Sequence, residues 1–162
     1  MTSFAVLVKP ETSVVPGAVG AAVRTLESQG VTVRRHAVLP AGDFVSRGFL
    51  LLHYPRLHRV AADGAAALTS GARAELHAVR ARTDDAVAVG AYEAMTLEAG
   101  LSVTALEERI RAGGITKLGS GSYASPARIG GRAVVVLNGF LPALAESYRA
   151  PGAQVGMLDC VS

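Results

Sequence analysis

The chain has 162 residues, half of them hydrophobic and only 5% aromatic, with no tryptophan and a formal net charge of +3. This length predicts one domain, with a core built mainly from Val, Leu and Ala. The positive charges are scattered and lack interleaved aromatics, which excludes a nucleic-acid partner from the expectation. No apolar run approaches the roughly 18 residues of a membrane span, which excludes a membrane.

The single Cys160 rules out an intramolecular disulfide and suits a reducing compartment. Met1-Thr2-Ser3 lacks the basic region of a signal peptide, so a cytoplasmic location is expected. Arg34-Arg35 and Arg56/Arg59 come nearest to charge clusters and read as solvated surface.

Phe4 to Val8 is continuously apolar and predicts a buried strand. Lys9 places a cation where that strand leaves the core, and Pro10 ends it because proline has no N–H for the ladder. Val19, Ala22, Val23 and Leu26 recur at helical spacing within a predicted helix from Ala18 to Gln29, and Gly30 is a natural stop. A strand is predicted from Val31 to Leu39. Asp43 caps a helix running toward Leu52, and His53-Tyr54 lies in a helical segment. Residues 64–81 read as helical, with a break and new cap at Thr69-Ser70-Gly71. Asp84-Asp85 is read as the start of a helix running through Val87, Ala91, Ala94, Met95 and Leu97 to Gly100. Ser102 or Thr104 caps the next, over Ala105 to Arg111, closed by Gly113-Gly114.

The pattern then becomes extended. Gly130-Gly131 between two β-rich runs is a strong two-residue hairpin signal. Asn138-Gly139 ends the second of those strands, Phe140 to Tyr148 reads as a short helix, and Ala153 to Val161 as the final strand.

Several residues are candidates for chemistry. Lys9 at a strand mouth can meet an anion, or simply snorkel to solvent. Gly119-Ser120-Gly121-Ser122-Tyr123, with Lys117 before it, can present N–H and hydroxyl groups to a phosphate or serve as a plain turn. Tyr54 and Tyr123 carry acid/base hydroxyls, although buried tyrosines are usually packing residues. Asn138 can orient a ligand or form an ordinary Asn-Gly turn. His53 and His58 are five apart, not the spacing of a helical metal pair, and no metal site is expected.

Lys9-Pro10-Glu11, Val19-Gly20, Gly30-Val31 and His53-Tyr54, in this order, resemble the opening of the nucleoside diphosphate kinase family. The resemblance covers roughly the first third of the chain. It implies that Lys9 approaches nucleotide phosphates, with Mg²⁺ accompanying a nucleotide, and that Tyr54 lines the same pocket. It does not extend to the family's phosphohistidine. None of His36, His53, His58 and His77 is followed by Gly, and the most similar late segment, Val134 to Gly139, has Asn138 where the histidine would stand. An amide cannot accept a phosphoryl group. In the preferred register the family's third strand is Pro151 to Asp159.

The expected fold is thus α+β, a ferredoxin-like α/β sandwich with an antiparallel sheet. A helical insertion at about 43–113 and a hairpin at about 120–138 complete it. The expected function is a divergent member of that superfamily that has lost phosphohistidine transfer. It binds or processes an anionic metabolite or nucleotide, as a repurposed enzyme of bacterial specialised metabolism. A non-catalytic subunit that completes its sheet with a partner is the alternative, and an active kinase a lesser one. A homo-oligomer is expected, because an incomplete sheet leaves an open edge.

Overall fold

The computed structural model describes all of residues 1–162. In chain order the elements are β1 (Ser3–Val8), α1 (Pro10–Ser13), α2 (Ala18–Ser28), β2 (Thr32–Pro40), α3 (Ala41–Ser46), α4 (Phe49–His53) and α5 (Pro55–Asp63). A 3-10 turn (Gly64–Ala67) leads to α6 (Ser70–Ala81), β3 (Val87–Gly90), α7 (Ala91–Thr96) and α8 (Val103–Gly113). The remainder is β4 (Thr116–Gly119), β5 (Ser122–Ile129), β6 (Arg132–Leu137), α9 (Leu141–Ser147) and β7 (Gln154–Val161). The fold is α+β. It divides into two compact units, residues 1–50 with 145–162, and residues 51–144.

The first unit carries a three-stranded sheet in the order β1-β7-β2, with β7 antiparallel to both neighbours. β1 and β2 are therefore parallel to each other, and α2 makes the crossover between them. This is a split β-α-β arrangement. Val19, Ala22, Val23 and Leu26 of α2 pack onto Phe4, Val6, Val8, Leu158 and Cys160, as their helical spacing requires. Gly156 lets the helix come close, since a Cβ there would lie 2.8 Å from Val19 Cγ2 and 3.0 Å from Val8 Cβ. The Ser13 hydroxyl donates to the carbonyl of Gln154 and ties α1 to β7.

The second unit has its own four-stranded sheet, in the order β3-β6-β5-β4. β3 runs parallel to β6, and the other pairs are antiparallel. Val134 and Val136 of β6 join Ala91, Ala94, Leu106 and Ile110 on the α7/α8 face. Val135 and Leu137 join Val60, Ala72, Leu76 and Val79 on the α5/α6 face. A strand covered on both faces must be apolar throughout, which explains the unbroken Val134 to Leu137 run.

This unit corrects the sequence reading. The segment 43–113 is not a purely helical insertion, and the hairpin does not stand apart from it. Both contribute to one sheet. Asp84 and Asp85 adopt positive φ angles of 49° and 52°, so they turn the chain left-handed instead of starting a helix. Val87-Ala88-Val89 then pairs with Val134 to Val136 as a strand. The expected Gly130-Gly131 turn is present, with φ of 56° and 77°, as a two-residue hairpin of the primed kind needs. Ser102, not Thr104, caps α8, accepting from the Ala105 N–H at 3.1 Å.

Candidate functional site

Pro55 occupies the first turn of α5, where its missing N–H is harmless, and Tyr54 precedes it as an N-cap without a side-chain cap bond. Arg56 and Arg59 are three residues apart and so lie on one side of the helix. With Pro55 and Ala67 they line a recess of about 350 Å³. Both are exposed. Neither guanidinium takes part in any of the molecule's side-chain hydrogen bonds or ion pairs, whereas Arg34, Arg35, Arg109 and Arg111 are all paired with carboxylates. Two forked cations over one recess, with no carboxylate in its lining, form an arrangement suited to phosphate or carboxylate.

The start of α5 is braced. The turn Ser120-Gly121 joins β4 to β5, and Gly121 has φ of 64°. A Cβ at Gly121 would lie 3.2 Å from the Arg56 stem, so the turn packs directly beneath Arg56. Asn138 is fully buried. Its Nδ2 donates to the carbonyls of Leu57 at 2.9 Å and Gly121 at 3.0 Å, and its Oδ1 accepts from the Tyr123 N–H at 2.9 Å. One side chain therefore fastens the first turn of α5, the β4–β5 turn and the start of β5 together. Ser122 is also fully buried, and its Oγ has no hydrogen-bond partner. It alternates with Tyr123 and shares a face with Ala124, which packs toward α5 and α6.

The sequence candidates separate accordingly. Lys9 belongs to the first unit, where it is exposed and precedes α1. His53, Tyr54, Lys117, Ser120, Ser122, Tyr123 and Asn138 belong to the second. His53 is exposed, and its ring meets Tyr54 edge-on at 4.5 Å. Lys117 stands opposite Tyr123 across β4 and β5, so the two share a face, and Tyr123 packs edge-on against Phe140 at 5.4 Å. That face is opposite to the one holding Ser122. The Gly-Ser-Gly-Ser-Tyr segment is a hairpin turn whose side chains diverge, not a loop converging on a phosphate. Asn138 has both amide hydrogens committed to backbone carbonyls, so it positions the chain and does not orient a ligand. In the sequence, Arg56 and Arg59 read as plain surface. The overlooked signal was Pro55, which marks a new helix start and puts both arginines near it.

A second polar cluster lies at the β5–β6 turn. The Glu98 carboxylate accepts from Arg109 through both oxygens, at 2.7 and 2.9 Å, and from the Gly130 N–H at 2.8 Å. The Arg109 hydrogen bonds, then the Gly130 bond, pull its pKa from the ordinary 4.5 to about 2. A carboxyl depressed in the folded state stabilises fully above its unfolded value and loses that contribution as pH falls toward the folded one. Acid titration of unfolding is therefore expected to show wild type losing stability relative to Glu98→Gln between pH 4.5 and 2. Parallel curves across that window would contradict the assignment.

No group of three or more His, Cys, Asp or Glu side chains is placed to hold a metal ion, so the recess offers cations to a phosphate but no carboxylates to Mg²⁺. Comparison with known protein families, with curated proteins and with solved structures returns no match.

Proposed function

We propose that the chain binds an anionic small molecule, a phosphorylated metabolite or nucleotide, in the recess between Arg56 and Arg59. It does so without phosphohistidine transfer. The observation that carries this reading is the pair of unengaged guanidiniums lining one recess, on a helix whose first turn Asn138 holds in place. Arginines that serve only solubility need no recess and no buried amide holding their helix in place. The split β-α-β unit with Lys9-Pro10-Glu11 at the end of its first strand supports a distant relationship to nucleoside diphosphate kinases. The absence of a Gly-Ser-flanked histidine supports loss of transfer.

Thermal-shift and calorimetric titration with ATP, ADP and pyrophosphate test the reading. A ligand at 100 times its Kd stabilises the fold by about 2.7 kcal/mol. Arg56→Ala and Arg59→Ala are each expected to weaken binding by about tenfold to a hundredfold, since a charged hydrogen bond contributes about 1.5–3 kcal/mol. Lys9→Ala is expected to leave affinity unchanged. Loss of binding in Lys9→Ala with both arginine variants unaffected would move the anion to the first strand's mouth and overturn the assignment. An acid-labile phosphoprotein formed from ATP would refute the loss of transfer.

A further inference from the structure

The three-stranded sheet has two free edges, and they are built differently. β2 carries Arg34, Arg35 and His36, has a register shift between Val33 and Arg35, and ends at Pro40. Charge, a bulge and proline are the usual protections of an edge against pairing. β1, Ser-Phe-Ala-Val-Leu-Val, has no charge, no proline and an unbroken register of six pairs with β7.

The direction of its backbone groups follows from one pair. Thr2 and Ser162 exchange both hydrogen bonds, at 2.9 and 3.1 Å. In an antiparallel ladder such reciprocal pairs alternate with non-bonded ones. In the observed register, Phe4, Val6 and Val8 therefore turn N–H and C=O toward β7. Ser3, Ala5 and Leu7 turn theirs outward. Their side chains lie on the face opposite α2, where Ser3 and Ala5 are exposed.

We infer that β1 pairs antiparallel with β1 of a second copy, about a two-fold axis through Ala5. That register sets Ala5 against Ala5 and Ser3 against Leu7, so every outward N–H and C=O of the three residues finds a partner. An isologous contact of this kind closes on itself. The joined sheet then ends at two protected β2 edges and cannot propagate. Small, neutral side chains at the axis present no like-charge contact. Asp159, opposite Ala5 on β7, lies one strand inward, so its two copies stand about 14 Å apart at ordinary strand spacing. That exceeds the ~10 Å screening length, and each is already held by Arg34 at 2.7 Å.

Sedimentation equilibrium on the 162-residue chain is expected to give a dimer. Ala5→Pro removes the outward N–H at the axis and leaves the β1–β7 ladder intact, as proline does on an edge. It is expected to be monomeric with an unchanged far-ultraviolet spectrum. Ala5→Lys and Ala5→Asp set like charges opposite each other and are each expected to weaken dimerisation several-fold. An equimolar mixture of the two is expected to recover it. A monomeric wild type, or a dimer indifferent to Ala5→Pro, overturns the inference. Should Ala5→Pro fail to fold, the mixing experiment decides, and a mixture no tighter than its components is equally fatal.

Discussion

Replacing Asn138 with alanine is expected to lower the stability of the 51–144 unit by about 3–5 kcal/mol, as much as truncating one of its large core side chains. Two effects add. The first is the loss of three hydrogen bonds made by a fully buried side chain, to Leu57, Gly121 and Tyr123. A buried partner left unsatisfied costs about 1–3 kcal/mol, more than the bond's own net contribution. The second is conformational. Asn138 has φ of 51°, a left-handed value that asparagine tolerates and alanine resists by about 1 kcal/mol. Asn138→Gly separates the two, because glycine removes the bonds but not the tolerance. It is expected to be milder than Asn138→Ala by that ~1 kcal/mol. Asn138→Asp keeps an acceptor for Tyr123 but turns an anion toward two carbonyls, so it is expected to be no better than alanine. Urea denaturation of the three variants checks the order. A loss below about 1 kcal/mol in Asn138→Ala would mean that the backbone finds other partners and that Asn138 is not the brace.

The same residue shows how far the sequence could be read. Val134 to Leu137 was legible as a strand because burial on both faces leaves an uninterrupted apolar run, and Gly130-Gly131 was legible because only a primed turn asks for two positive φ angles in succession. The α2 stripe and β7 followed from period and length. β3 was not legible. Four residues are too few to establish a period, and Asp84-Asp85 has the same composition as a helix cap, so only its φ angles distinguish the turn. The site was less visible than the fold. Asn138 stood out as chemistry-bearing, but its partners are backbone groups, two of them at Leu57 and Gly121, and backbone groups leave no mark in a sequence. Arg56 and Arg59 differ from other unpaired arginines in lining one recess together, which is a property of the folded chain.

Gly113→Ala is the second variant expected to act strongly, at about 3 kcal/mol or more. Gly113 is the last residue of α8, and a Cβ there would stand 1.8 Å from the carbonyl oxygen of Pro126 and 2.9 Å from its carbon. Those are backbone atoms of β5, a strand paired with β6 from Ala124 to Ile129, so they cannot move aside as a side-chain tip would. The methyl can be admitted only by lifting the end of α8, and that exposes Leu106 and Ile110, both fully buried against the sheet. Gly114 provides the control. Its φ of 78° disfavours alanine, but nothing lies within 4 Å of the position a Cβ would take. With φ of 78° and ψ of 151° Gly114 sits in a region that essentially only glycine adopts, so Gly114→Ala is expected to cost about 1–3 kcal/mol from conformation alone. Denaturation midpoints of the two neighbours compare space with conformation in one helix end. Equal losses would mean that α8 yields at its last turn and does not press on Pro126. A Gly113 variant that melts far below the Gly114 variant would show that contact between helix end and strand backbone fixes where α8 lies on the sheet.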